Sequence, residues 1–212
     1  MDSGVVITIA REYGSGGRKI GQKLAKDLNI PFFDKELVAI AAQESGISKE
    51  LFEKANEKAS SSLLYALVMG SYTFGNHVAL SSEMPINDKL FSIQSDIIQK
   101  KVKEGPCILV GRCADYLLRE SKSVLKVFIK SSREARMAHV IEEHGVNPQS
   151  ASEYLMRKDR QRSNYYYFYT KQKWGDPKNY DLIIDSAKFG IEKSAELILS
   201  ACSTLRPAIE QT

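Results

Sequence analysis

The sequence predicts an α/β protein of three layers, a five-stranded parallel sheet with helices on both faces. Three observations carry this expectation. The 212 residues hold five short apolar runs rich in β-branched side chains and with little alternation, the pattern of strands covered on both sides. Helical stripes separate these runs, and alternating strands and helices pack as a parallel sheet between helices. A chain of this length can bury such a core as one unit.

The elements follow in order. Val5-Val6-Ile7-Thr8-Ile9 is the first strand, and a helix follows with Ile20, Leu24 and Leu28 on one face. Ile30-Pro31-Phe32-Phe33 is the second strand. A helical stripe of Leu90, Ile93, Ile97 and Ile98 then ends at Gly105-Pro106, a stop signal. Cys107-Ile108-Leu109-Val110 and Val124 to Ile129 are the third and fourth strands. Ser132 caps a helix ending near Gly145, and Asn147-Pro148 reads as the cap and first position of the next helix. Leu182-Ile183-Ile184 is the fifth strand, and a helix from about Ile191 to Leu205 closes the chain. One domain spans residues 1–212, with its core in 1–43, 101–146 and 181–212. Two stretches break the alternation: 44–100, Ser-rich at Ser60-Ser61-Ser62, and 147–180, rich in Arg, Lys and Tyr. Parallel sheets bind ligands at the carboxyl ends of their strands, which places the chemistry just after Ala10, Phe33, Val110, Ile129 and Ile184.

Composition narrows the partners. A net charge of +4 suits anionic small molecules but is too weak to argue for nucleic acid. Three cysteines, Cys107, Cys113 and Cys202, form no CxxC or zinc pattern, so a reduced, cytoplasmic chain is expected. No apolar run is long enough for a signal segment or a membrane span.

Arg11-Glu12-Tyr13-Gly14-Ser15-Gly16-Gly17-Arg18-Lys19 follows the first strand and opens a helix. Glycines allow positive φ and close backbone approach. Successive N–H groups and the helix N-terminus then face an anion, with Arg18 and Lys19 adding charge. The bland alternative is a tight turn with solvated basic residues. The turn is not a complete GxxxxGK[ST] motif, which needs a Lys after its last Gly and a hydroxyl for Mg²⁺.

With these residues in order, the chain resembles the cytidylate kinases, and more closely the cytidylate kinase-like proteins. Ile7 to Arg18 is similar to that group's start, and Phe32-Phe33-Asp34 to its second strand. Gly111-Arg112 is similar to its Gly-Arg-Asp, Arg157-Lys158-Asp159-Arg160-Gln161-Arg162 to its arginine-rich lid, and Leu182 to Ser186 to its last strand. The resemblance implies a P-loop NTPase-like fold in which 44–100 is the nucleoside-monophosphate-binding insertion and 147–180 the lid. Aligned so, Gly17 stands at the usual lysine, Arg11 at the usual first glycine and Lys19 at the usual hydroxyl; a one-residue shift lets Arg18 replace the lysine. Lys35 and Cys113 also depart from the pattern.

The resemblance implies transfer of the ATP γ-phosphate, with Mg²⁺, to a pyrimidine nucleoside monophosphate such as CMP. Arg11, Gly14, Ser15, Gly16, Gly17, Arg18 and Lys19 would bind the nucleotide. Arg18, Arg112, Arg157, Arg160 and Arg162 would act on the transferring phosphates, and Asp34, Arg112 and Asp159 would organise the acceptor. No metal ligand is assigned. A phosphate acceptor is already a nucleophile, so neutralising and aligning two polyanions suffices, and no general base stands out in the sequence. Each residue keeps its plain alternative: a surface salt bridge for Arg112, a helix cap for Asp34, a solvated face for the lid arginines. Tyr165 to Tyr169 reads as packing or as a contact in a homo-oligomer, and His77, His139 and His144 as structural. A nucleotide sensor without turnover, and a kinase for another small acceptor, remain alternative functions.

Overall fold

The computed structural model describes residues 5–34, 36–37, 39–40 and 86–205. Five parallel strands form one sheet: β1 (Val6–Arg11), β2 (Phe32–Phe33), β3 (Ile108–Val110), β4 (Val124–Lys130) and β5 (Leu182–Asp185), in the spatial order β2-β3-β1-β4-β5. Among the described residues the helices with defined bounds are α1 (Gly17–Leu28), α2 (Ile86–Glu104), α3 (Ala114–Leu117), α4 (Arg133–His144), α5 (Ala151–Thr170) and α6 (Ser186–Thr204), with a 3₁₀ turn at Pro177–Asn179.

The central strand β1 is buried over Val6–Ala10. Its alternate residues serve two cores. Ile7 and Ile9 pack with Ile20 and Leu24 of α1 and with Ala195 and Ile198 of α6. Val6 faces the other way, into a cluster with Leu90, Ile97 and Ile98 of α2 and Leu118. These two apolar layers make the three-layer α/β/α fold that the uninterrupted strand runs predict. An added Cβ at Gly21 would lie 2.9 Å from the Phe32 ring, so α1 sits close on the sheet only because that residue is glycine.

Register aligns the carboxyl ends: Ile9 opposes Val110 on one side and Val127 on the other, and Arg11 opposes Ile129. The crossover from β1 leads toward β2, and that from β4 leads toward β5 on the opposite side. A crevice therefore opens above the carboxyl end of β1.

Two helix starts differ from the expectation. Asn147 closes a turn, with its Oδ1 accepting from the Gln149 N–H (2.9 Å), and α5 begins only after Ser150. Ser186 starts α6 early, with Asp185 as its cap, and Gly190 (φ 70°, ψ 178°) interrupts it before the regular run from Ile191. Ser132 caps α4 through the Ala135 N–H (3.2 Å), and Gly145 ends it in the left-handed region. All three cysteines are free and buried; burial pushes the Cys107 and Cys202 thiols up to about 11 and raises Cys113 well above its ordinary value. Among the described residues no helix is long and apolar enough to cross a membrane. Most of the 44–100 insertion, including Ser60-Ser61-Ser62 and His77, and also Lys35, lies outside the described residues.

Candidate active site

The turn between β1 and α1 is built from short contacts. Gly14 (φ 78°) and Gly16 (φ 74°) are left-handed. The buried Ser15 hydroxyl donates to the Glu12 carbonyl (2.8 Å), and the Ser15 carbonyl accepts from the Ser186 hydroxyl (2.7 Å). Gly16 caps α1 without offering a side-chain acceptor, and the first intrahelical bond is from Ile20 N–H to Gly16 (3.0 Å). The N–H groups of Gly17, Arg18 and Lys19 thus precede the helical ladder, and the positive end of α1 faces the crevice.

Arginines surround this turn. Arg11 Nη2 donates to Asp34 Oδ1 (3.2 Å) and Arg18 Nε to Asp34 Oδ2 (2.9 Å), so one buried carboxylate at the end of β2 holds two guanidiniums. Arg162 of α5 reaches in from the opposite side. It donates to the Arg11 carbonyl (2.8 Å) and lies 4.9 Å above the Tyr13 ring. Burial lowers the pKa of Arg11, with Arg112 and Arg18 adding to the effect and Asp34 opposing it. Burial and then Arg11 bring Arg162 down to about 9. A guanidinium keeps its charge in proteins. The depressed pKa values of Arg11 and Arg162 measure how poorly these cations are solvated and compensated, which an arriving anion relieves.

Asp159 also belongs to this turn. Its Oδ1 accepts from the Tyr13 main-chain N–H (2.7 Å) and its Oδ2 from Arg136 Nη1 (2.5 Å), while Arg136 also donates to the Tyr13 carbonyl (3.2 Å). The Glu12 carboxylate accepts from the Ser131 N–H (2.9 Å) and lies 3.7 Å from Arg136 Nε. The Tyr13 hydroxyl meets that of Tyr154 (3.2 Å); burial, then this contact, pushes Tyr13 up to about 12. Helices α4 and α5 are in this way fastened to the glycine turn.

After β3 the chain runs through three successive left-handed residues, Gly111 (φ 74°), Arg112 (φ 58°) and Cys113 (φ 56°). Such strain in non-glycine residues concentrates at functional sites. Among the described residues Arg112 makes no ion pair. The buried Tyr165 hydroxyl lies beside it, and burial raises its pKa.

The structure therefore gathers Arg11, Arg18, Asp34, Arg112, Asp159 and Arg162 about Gly14–Gly17. It does not bring Lys19, Arg157 or Arg160 into that group. Lys19 pairs with Glu143 of α4, Arg157 is exposed beside the Tyr154 ring, and Arg160 is exposed. Arg162, not the Arg157–Arg160 face, is the α5 arginine that meets the turn. Nothing in the sequence singles out Arg136, which lies in an ordinary amphipathic helix; its place six residues after the end of β4 is the one available signal. The tyrosine run divides its roles. Tyr166 donates to the buried Asp115 (2.7 Å), Tyr169 stacks on Phe91 of α2 at 3.9 Å, and Tyr167 is exposed.

Among the described residues no cluster of three His, Cys, Asp or Glu could cage a metal. The uncapped helix end and the arginines do fit a polyphosphate.

Comparisons with known proteins agree with this architecture. No curated protein matches the sequence. An uncharacterized protein from Eubacterium ventriosum is similar, at 24% identity and TM-score 0.69, over 94% of this chain and 99% of that one. A shikimate kinase from Bacteroides thetaiotaomicron (13% identity, TM-score 0.55, 94% and 98% covered) and a gluconokinase from Sinorhizobium meliloti (12%, 0.52, 97% and 95%) share the fold. It is the α/β P-loop fold. The model of the cytidylate kinase-like family matches residues 6–188, and this chain belongs to that family.

Proposed function

We propose that the protein transfers the γ-phosphoryl group of ATP to a small phosphate-bearing acceptor, a pyrimidine nucleoside monophosphate such as CMP. The observation that carries the proposal is the uncapped N-terminus of α1 ringed by Arg11, Arg18, Arg112 and Arg162. Two polyanions repel each other, and these guanidiniums and N–H groups offset that repulsion. An acceptor phosphate oxygen bonds to the γ-phosphorus as the bridging β–γ P–O bond breaks. The electron pair leaves on ADP, and no proton need be abstracted. Gly14 to Arg18 bind the donor phosphates, Arg112 and Asp34 orient the acceptor, and Arg162 closes over the transfer from α5 while excluding water. Mg²⁺ bound with ATP would supply further charge neutralisation of the donor phosphates.

A second reading, a nucleotide sensor without turnover, draws on one observation. Gly17 and Lys19 stand at the usual lysine and hydroxyl positions, and Lys19 is tied to Glu143. A coupled assay with ATP and a panel of monophosphates and hydroxy acids, alongside calorimetry with ATP, decides between them. Turnover with CMP ahead of other acceptors is expected. Tight ATP binding with no turnover for any acceptor would establish the sensor, and no ATP binding at millimolar concentration would end both readings.

A further inference from the structure

Gly17 has no backbone reason to be glycine. It is the first residue of α1, outside the left-handed region, where glycine brings no conformational advantage over alanine. Space supplies the reason. An added Cβ would lie 2.7 Å from Arg11 Cβ and 3.0 Å from Arg11 Cγ. Residue 17 is where a complete GxxxxGK[ST] loop carries its phosphate-binding lysine. The stem of Arg11 fills the space through which that lysine would leave the helix.

At its far end the same side chain lies against Gly111, where an added Cβ would overlap Arg11 Nη1. Two glycines, one on α1 and one after β3, thus clear a channel for one arginine. That arginine stands on β1 where such loops carry their first glycine. Its guanidinium has Arg18 on the donor-loop side, sharing Asp34, and Arg112 on the acceptor side, with Arg162 close by. A structural ion pair would need one cation for one carboxylate. Here Arg11 and Arg18 share the single Asp34 carboxylate, and Asp159, the carboxylate that acts on Arg162, is already bonded to Arg136.

We propose that Arg11 replaces the missing lysine, its guanidinium reaching the nucleotide phosphates from the strand beneath the loop instead of from the helix. The inference rests on the phosphotransfer reading. On this reading the Gly-to-Arg change at position 11 and the Lys-to-Gly change at position 17 are one exchange of positions. The planar fork can hold oxygens of two phosphates at once, which an ammonium does less well.

The test uses the full chain and a non-hydrolysable ATP analogue in calorimetry, with turnover and melting temperature measured in parallel. Arg11→Met keeps the stem and removes the charge; it is expected to weaken analogue binding at least about tenfold and lower kcat about a hundredfold, with a smaller effect on the acceptor KM. Arg11→Gly should be similarly impaired. Adding Gly17→Lys to Arg11→Gly clears the stem and restores the usual lysine, and most of the lost binding should return. Arg11→Met that binds and turns over like wild type overturns the inference and leaves the kinase reading intact. So does a double variant that melts like wild type yet regains nothing. A wild-type chain that binds no analogue overturns both.

Discussion

Asp115 shows how one buried carboxyl shapes the segment that follows β3. It accepts from the Tyr166 hydroxyl three residues beyond the strained Arg112, and burial raises it from 3.8 to about 6. A raised carboxyl pKa means that the folded state holds the proton more tightly than the unfolded chain. This group therefore weakens the fold above about pH 6, and the weakness disappears as pH falls toward 4. The rise corresponds to on the order of 3 kcal/mol. Urea unfolding of Asp115→Asn against wild type should favour Asn at pH 7.5, with the advantage shrinking steadily to pH 4; a pH-independent difference would contradict this account. At this scale the sequence is informative where a side chain ends a strand. Arg11, Asp34 and Arg112 can be placed at one rim because strand ends converge there. Arg136 and the Tyr13 N–H cannot, because their contacts with Asp159 join segments more than twenty and more than a hundred residues apart with no shared periodicity.

Among the elements, α5 has the most to do with the turn. Its hold depends on Asp159, whose two oxygens take the Tyr13 N–H and Arg136. Charge-assisted hydrogen bonds of this kind contribute about 1.5–3 kcal/mol. Asp159→Ala should thus speed hydrogen exchange of the Tyr13 amide by roughly tenfold to a hundredfold, while amides of the β1–β4 ladder keep their protection. Equal exchange in variant and wild type would show that α5 is held elsewhere. The elements were readable because β1, β3 and β4 are continuous apolar runs and α2 keeps a clean stripe. Their edges were less so. Asn147-Pro148 carries the chemistry of a helix start, but its hydrogen bonds close a turn, and Ser150 precedes α5. Nothing local tells a reader that Gly190 lies inside a nearly continuous α6.

For the molecule as a whole, the undercompensated arginines make anions a stabilising influence. A ligand at about a hundred times its Kd adds about 2.7 kcal/mol, or roughly 5–10 °C in Tm for a chain of this size. Pyrophosphate and ATP should raise Tm by that much, and chloride at equal ionic strength should not. Equal shifts for all three would mean general screening instead of a site. The three-layer fold could be read from the order of strands and helices, but the order β2-β3-β1-β4-β5 could not, since neighbouring apolar runs offer many pairings of similar hydrophobic gain. The burial of Cys107, Cys113 and Cys202 leads to a practical end. Alkylating reagents need a thiolate at the surface, so the native chain is silent to maleimides. A cysteine introduced at the exposed Met156 on α5 becomes its one reactive handle. A single dye could be attached there without first stripping the protein of its own sulfur, and its emission would follow that helix as nucleotide is added.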